Sequence, residues 1–144
     1  MLTEINKAWN WCDVTAKEII QNNDFGNIIF QSKENEIWRI CPEELYCEKI
    51  ANTQSDYQKL LNDSEFIEDW EMINLIIIAK EKVGELMEGE KYCLKLPGVL
   101  GGKYEGENIS KINQLEQISF SGNLAKQIMD LPDGTEIKIE IKEQ

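Results

Sequence analysis

The chain has 144 residues, and its 27 acidic side chains outnumber its 15 basic ones, which gives a formal net charge of −12. A hydrophobic content of 42% is sufficient for a core, so we expect a single domain over residues 1–144 that folds without disulfides or metal. The absence of histidine excludes His-based catalytic triads and the commonest metal ligand. We therefore expect no enzymatic activity, no catalytic residues, no cofactor and no metal site.

The charge balance also limits the partners of the chain. Arginine occurs once, at Arg39, and the lysines are scattered among carboxylates, so we expect no direct binding of nucleic acid. The first residues lack a signal-peptide pattern and the longest unbroken apolar run is the five residues 75–79, which predicts neither secretion nor a membrane span. Four cysteines without C-x-x-C spacing are typical of reduced thiols in the cytoplasm. A surface this acidic favours the approach of a basic protein.

The first third of the chain predicts a helix followed by strands. Residues 1–23 form an N-terminal helix and lead-in, since Leu2, Ile5 and Trp9 recur at helical spacing. Residues 27–30 and 36–40 are rich in β-branched and aromatic residues and flank a polar turn, which predicts a hairpin. After a corner at Pro42, residues 46–50 are predicted to return as a third antiparallel strand.

The middle of the chain predicts two helices. Thr53 and Asp56 form a capping box that opens the first helix. Ser64 is predicted to cap the second, a long buried helix that runs through residues 75–78 and ends at Gly89. A strand reading of residues 75–78 is the alternative, because β-branched residues dominate there.

The last third mixes a strand, a glycine loop and helices. We predict a strand over residues 91–96, a loop over 98–102, two short helices starting near Asn113 and at residue 121, and a half-buried strand over 137–141 after the turn at Pro132. The predicted class is α+β, with a mainly antiparallel, hairpin-rich sheet packed against several helices on one face.

The most informative segments are Asp24-Phe25-Gly26-Asn27, Trp38-Arg39-Ile40-Cys41-Pro42-Glu43-Glu44-Leu45, Asp69-Trp70, residues 97–104 with Glu107-Asn108, Ile118-Ser119-Phe120-Ser121-Gly122 and Leu131-Pro132-Asp133-Gly134. In this order and spacing they resemble the C-terminal domain of type VI secretion DNase-immunity proteins. The resemblance covers roughly residues 24–141, so residues 24–144 are interpreted as a family-like core. Where relatives tend to have Gly in the first hairpin turn, this chain has Asn35, which also tolerates a left-handed backbone.

The resemblance implies a cytoplasmic immunity protein that binds a cognate secreted effector, a nuclease toxin, and neutralises it without catalysis. The alternative is a regulatory module that binds a small ligand or peptide in a pocket between the glycine loop and the sheet. A thermal-shift screen with metabolites distinguishes the two.

Two regions supply candidate contacts. Residues 56–71 hold six acids against Lys59 alone, which indicates either a partner-binding face or a solvated helix. Trp38 and Arg39 point to opposite faces of one strand, with Trp38 expected in the core and Arg39 either clamping a glutamate across the Pro42 corner or contacting the partner. The glycine loop is either a recognition loop or a tight chain crossing. The predicted partner-binding residues are Arg39, Glu43, Glu44, Glu68, Asp69, Glu71, Gly101, Gly102, Tyr104 and Asn108.

Overall fold

A four-stranded antiparallel sheet with the strand order β1-β2-β3-β4 forms the centre of the structure, a computed structural model that describes residues 1–131. A second sheet consists of two antiparallel strands, β5 and β6. The strands are β1 (Ala16–Asn22), β2 (Ile28–Ser32), β3 (Ile37–Cys41), β4 (Tyr46–Ala51), β5 (Glu90–Leu94) and β6 (Ile109–Asn113). The helices are α1 (Leu2–Trp9), α2 (Gln54–Leu60), α3 (Ser64–Glu71), α4 (Ile73–Val83) and α5 (Gln114–Met129). The α+β class is thereby confirmed, while the predicted Pro132 turn and the strand over 137–141 lie outside the described residues.

The first sheet contains the predicted hairpin and third strand. Strands β2 and β3 pair antiparallel, and Asn35 in their turn adopts a left-handed backbone with φ of 64°. The lead-in before them is itself a strand, β1, which the sequence analysis missed. It pairs with β2 at the sheet edge, and its register shifts twice, between Ala16 and Glu18 and again between Ile19 and Gln21. Such shifts mark β-bulges, which bend and twist a strand.

Helices cover both faces of this sheet, not one face as predicted. Successive strand residues point to opposite faces, and Ile28, Ile29 and Phe30 of β2 are all 0% exposed. Ile28 and Phe30 pack with Trp9 of α1 and with residues of α5, whereas Ile29 packs with Tyr57 of α2 and with α3. The first three residues of β2 are therefore apolar because neither side of this part of the strand meets water, whereas the strand ends in the polar residues Gln31 and Ser32.

Helices α1 and α5 approach each other closely on the first face. The approach occurs at Gly122, where an added Cβ would lie 2.6 Å from the carbonyl oxygen of Ala8. The indole Nε1 of Trp11 donates to the carbonyl oxygen of Gly122 at 3.2 Å, which ties the same two segments together. A glycine is required here by the contact between the two helices.

The second face begins with two capped helices. The side chain of Thr53 accepts a hydrogen bond from the backbone of Asp56, so the predicted N-cap of α2 is confirmed. Asp63, not Ser64, caps α3 by accepting from the backbone N–H of Glu65. Asp satisfies the free N–H groups of a first turn as well as Ser does, so the sequence offered two equivalent caps.

The predicted long helix is in fact two helices. The helical conformation is interrupted at Met72, whose φ of 50° is left-handed, so α3 ends at Glu71 and α4 begins at Ile73. Helix α4 does include residues 75–78, which decides against a strand there, but it ends at Val83 with Gly84 as its C-cap, before the predicted Gly89. A concave surface lined by residues of both helices lies beside this break.

Residues 84–131 contain one more strand and one fewer helix than predicted. Strand β6 was missed, and one helix, α5, replaces the two predicted short helices. The side chain of Asn113 caps α5 by accepting from the N–H groups of Leu115 and Glu116. Ser121 does not start a helix. It lies within α5, where its hydroxyl donates to the carbonyl oxygen of Gln117 one turn earlier.

Candidate functional site

Arg39 is the centre of a buried polar network. It lies on β3, is 5% exposed, and its guanidinium uses Nε and Nη2 to donate to Oδ1 of Asn27 at 3.1 and 2.9 Å. Its Nη1 donates to Oδ2 of Asp69 on α3 at 2.7 Å, and its Cζ lies 5.2 Å from the ring centroid of Trp70. The predicted direct clamp on Glu43 or Glu44 is therefore replaced by a bond to Asp69. The network links β3 to α3.

Asn27 extends this network to Glu43. Its Nδ2 donates to both carboxylate oxygens of Glu43, at 3.0 and 2.8 Å, and both residues are buried. Burial raises the pKa of Glu43 above its ordinary value, against the effect of its hydrogen bonds and of the nearby Arg39 charge. Arg39 and Glu43 thus lie inside the protein and position Asp69, while the Asp69 side chain itself remains 68% exposed.

A second link joins Glu44 to the glycine loop. The phenol of Tyr104 donates a hydrogen bond to Glu44, and Tyr104 is 46% exposed. Partial burial raises the pKa of Tyr104, and the bond to Glu44 raises it further. A Cβ at Gly98 would collide with the Glu44 carboxylate. The Pro42 corner and the loop therefore fit together closely and present the Tyr104 ring outward.

Asn108 holds the glycine loop in shape. Its Nδ2 donates to the carbonyl oxygens of Leu96 and Lys103, both at 2.9 Å, and its Oδ1 accepts from the N–H of Leu96 at 2.9 Å. Gly101 has a φ of 97°, and a Cβ at Gly102 would collide with the carbonyl of Leu96. These contacts support the tight-crossing interpretation for Gly102, whereas Gly101, which has no atom within 4 Å of an added Cβ, is favoured by its left-handed backbone. Asn108 and the glycines thus fix the shape of the loop that carries Tyr104.

An open cleft of about 730 Å³ lies between α3, α4 and Tyr104. Exposed carboxylates of α3 form one side, and apolar side chains of α4 form the other. The lining residues are Ser64, Ile67, Glu68, Asp69, Glu71, Met72, Ile73, Asn74, Leu75, Ile78 and Tyr104. We call Glu68, Asp69 and Glu71 the acidic rim. The cleft suits a partner that offers positive charge beside apolar surface.

Four of the ten predicted contact residues line this cleft. They are Glu68, Asp69, Glu71 and Tyr104. Arg39 and Glu44 support two of these residues, because Arg39 bonds to Asp69 and Glu44 bonds to Tyr104. Glu43 is connected to Arg39 through Asn27. The remaining three, Gly101, Gly102 and Asn108, lie in the loop that carries Tyr104.

Sequence reasoning missed Asn27 and the α4 side of the cleft. Asn27 stood within a segment already singled out, but nothing in that segment shows that its amide bridges Arg39 and Glu43. A signal for α4 was present. The consecutive residues 75–78 are apolar, and consecutive residues of a helix cannot all face one side. Part of that apolar surface therefore had to point outward.

The described residues show no arrangement suited to a metal. Within residues 1–131, no group of three or more Cys, Asp or Glu side chains is placed to hold an ion. The four cysteines are free thiols, and burial raises the pKa of Cys93 to about 11, so that thiol stays protonated. No helix in this part of the chain has the length and apolar character needed to cross a membrane.

Comparison with known proteins identifies the family. A comparison with curated proteins finds no match. The family model described as "T6SS immunity protein Tdi1, C-terminal" matches residues 51–125, where T6SS denotes the type VI secretion system. The match covers just over half of the chain and runs from the end of β4 into α5, so it includes α3, α4 and the Tyr104 loop. It is shorter than the resemblance over residues 24–141. The chain therefore belongs to the family of T6SS immunity protein Tdi1 C-terminal domains.

Proposed function

We propose that this chain neutralises a cognate type VI effector by binding it directly, that the effector is a nuclease, and that binding takes place in the cytoplasm without catalysis by this chain. The observation that carries the proposal is the acidic rim, which lies within the segment matched by the immunity family. An effector-binding role requires an exposed surface with a defined chemistry, and the rim provides one.

The nuclease part of the proposal follows from charge. A nuclease must hold phosphate backbone with lysine and arginine side chains, so its substrate-binding surface is basic. Glu68, Asp69 and Glu71 are exposed on a chain whose net charge is −12. A basic nuclease surface and this rim attract each other, and such steering raises association rates from about 10⁵–10⁶ to about 10⁸–10⁹ M⁻¹s⁻¹ at low salt. Occupation of that surface would exclude DNA.

Rigidity supports the same role for Asp69. Its carboxylate is bonded to the buried Arg39, which is itself fixed by Asn27. A side chain that is already held in place loses less conformational entropy on binding than a mobile one. Asp69 is therefore ready to accept a hydrogen bond from a lysine or arginine of the effector with its other oxygen.

The experiment is rescue by co-expression. The protein encoded by the open reading frame adjacent to this chain's gene is expressed in a sensitive host, with and without this chain, and survivors are counted. We expect the wild type to restore growth and to co-purify with the toxin, and Glu68→Lys with Glu71→Lys to lose both effects. The matched control is Glu88→Lys, which reverses an exposed charge between α4 and β5, away from the cleft, and should rescue fully. Toxicity without rescue by the wild type would refute the proposal.

The small-ligand alternative has less support. Its pocket was expected between the glycine loop and the sheet, whereas the cleft is open and is lined by α3, α4 and Tyr104, with no residue of β1 to β6. A ligand present at a hundred times its dissociation constant stabilises a fold by about 2.7 kcal/mol, which a thermal-shift screen detects. A metabolite that stabilises the wild type but not a Tyr104→Ala variant would favour this alternative.

A further inference from the structure

We propose that the outward face of α4, formed by Ile73, Ile77 and Ile78, anchors the effector by receiving an apolar segment of it that is flanked by lysine or arginine. The proposal rests on the proposed function and specifies the part of the surface that holds the complex together. We call these three residues the α4 apolar face.

The exposure of these side chains is the first argument. Ile73 is 58% exposed, Ile77 52% and Ile78 38%. They lie on one helix of 11 residues, and Ile73 and Ile77 are separated by four positions, which places them on the same side. Exposed apolar side chains that stand singly are ordinary on a protein surface, whereas a contiguous group indicates an interaction site.

The fold does not require isoleucine at these positions. Helix α4 is attached to the protein by its opposite side, where Ala79 is 0% exposed and packs in a cluster with Phe25 and Tyr92, and where Leu75, Ile76 and Val83 are partly buried. That side satisfies the usual apolar stripe of a surface helix. Ile73, Ile77 and Ile78 are not members of this cluster, although Ile78 also approaches Gly106, where an added Cβ would lie 3.7 Å from its Cγ2. The apolar character of Ile73 and Ile77 is explained by a partner that covers them.

The charges beside the α4 apolar face indicate the chemistry of the partner that covers it. Ile73 and Ile78 line the same cleft as Glu68, Asp69 and Glu71, so the apolar face has an acidic border. A second copy of this chain would bring an identical acidic rim and another net charge of −12 against it, which is repulsive. A segment of the effector with apolar residues at its centre and basic residues at its flanks matches both parts of the surface. Such apolar centres with polar borders are typical of protein interfaces.

The two parts of the surface should contribute differently to binding. Exposed charges act at a distance and mainly change the association rate, whereas a well-packed apolar centre mainly changes the dissociation rate. We therefore expect Ile73→Ser with Ile77→Ser to raise the dissociation rate about tenfold or more and to change the association rate less than about twofold, as the general behaviour of interface variants indicates. At low salt, Glu68→Lys should lower the association rate and change the dissociation rate much less.

The test measures both rates by biolayer interferometry. The probe is the protein of the adjacent open reading frame, with its nuclease centre inactivated so that it can be purified. The matched control is Met87→Ser with Leu115→Ser, which removes two exposed apolar side chains away from the cleft. Urea unfolding of each variant establishes that it is folded. Ile77→Arg serves as a second variant, since arginine is a good helix former and would repel basic flanks.

A measurement on the wild type makes the test independent of variants. Hydrogen exchange of the amides in residues 73–83 should slow when the probe is bound, by more than in residues 114–129. Fast dissociation of the isoleucine variants together with this protection supports the proposal. Dissociation rates equal to that of the control overturn it, as does a wild-type dimer in sedimentation that these substitutions dissolve. If the wild type does not bind the probe at all, the proposed function fails and this inference fails with it.

Discussion

Replacement of Arg39 by methionine should destabilise the fold far more than replacement of Asp69 by asparagine, although the two residues share one ion pair. The pair is asymmetric, since the side chain of Arg39 is 6% exposed and that of Asp69 is 68% exposed. Removal of the buried partner disrupts the interior, whereas removal of the exposed partner leaves a surface that water can solvate.

The magnitude for Arg39→Met is the sum of three losses. The buried Oδ1 of Asn27 loses both of its donors, which costs about 1–3 kcal/mol. The cation–π contact with Trp70 is worth about 0.5–2 kcal/mol. The ion pair with an exposed carboxylate contributes about 1 kcal/mol or less. The expected cost is about 3 kcal/mol in the free energy of unfolding, because methionine preserves most of the apolar stem.

The expected cost of Asp69→Asn is below about 1 kcal/mol, because asparagine keeps an oxygen that accepts from Nη1 of Arg39. The assay is urea unfolding followed by tryptophan fluorescence, with the slope checked so that midpoints can be compared. Glu81→Gln is a useful control, since it neutralises an exposed acid in α4. Equal costs for Arg39→Met and Asp69→Asn would show that the Asn27 network does not stabilise the fold, and the reasoning would be refuted.

Three further predictions concern single positions. The pKa of Glu43 is raised in the folded state, so the contribution of this carboxyl group to stability is fully present below the unfolded-state pKa and is lost as the pH rises through the folded pKa. Glu43→Gln should therefore be more stable than the wild type at pH 8 and little or no more stable at pH 4. An equal difference in the free energy of unfolding at both pH values, measured with urea, would contradict this. Gly122→Ala should cost about 1–3 kcal/mol by thermal or urea unfolding because its Cβ meets the Ala8 carbonyl. As a contrast, Gly84→Ala meets no atom within 4 Å, so any loss of stability there comes from its left-handed backbone, which has a φ of 86°. Asn113→Ala should cost about 1 kcal/mol through loss of the α5 cap, and Asn113→Asp should restore stability in the same assay.

Local signals in the sequence were sufficient for much of the fold. The hairpin turn with Asn35, the Thr53 cap and the Asn113 cap depend on residues within a few positions of one another, and all three are confirmed. Strands β1 and β6 were missed because their evidence is not local. Several residues of β1 are exposed at a sheet edge, and β6 is defined by its pairing with β5 across the glycine loop.

The break at Met72 and the partner of Arg39 could not be predicted for related reasons. A left-handed backbone usually occurs at Gly or Asn, so a methionine at position 72 does not predict one. The ion pair of Arg39 joins residues 30 positions apart, and the chain offers 27 acids as candidates. The acidic rim was visible as a run of carboxylates, but the apolar wall that faces it depends on where α4 turns after Met72.

The bulged edge strand β1 has a consequence for the free protein at high concentration. An unpaired strand edge is a template on which another chain can add a strand, and this is how many soluble proteins aggregate. The two register shifts in β1 distort the row of free N–H and C=O groups, and Lys17 and Glu18 place opposite charges on the same edge. A straight, flat strand at this position would invite fibre-like stacking. The irregular β1 therefore disfavours the addition of a second chain at this edge of the sheet.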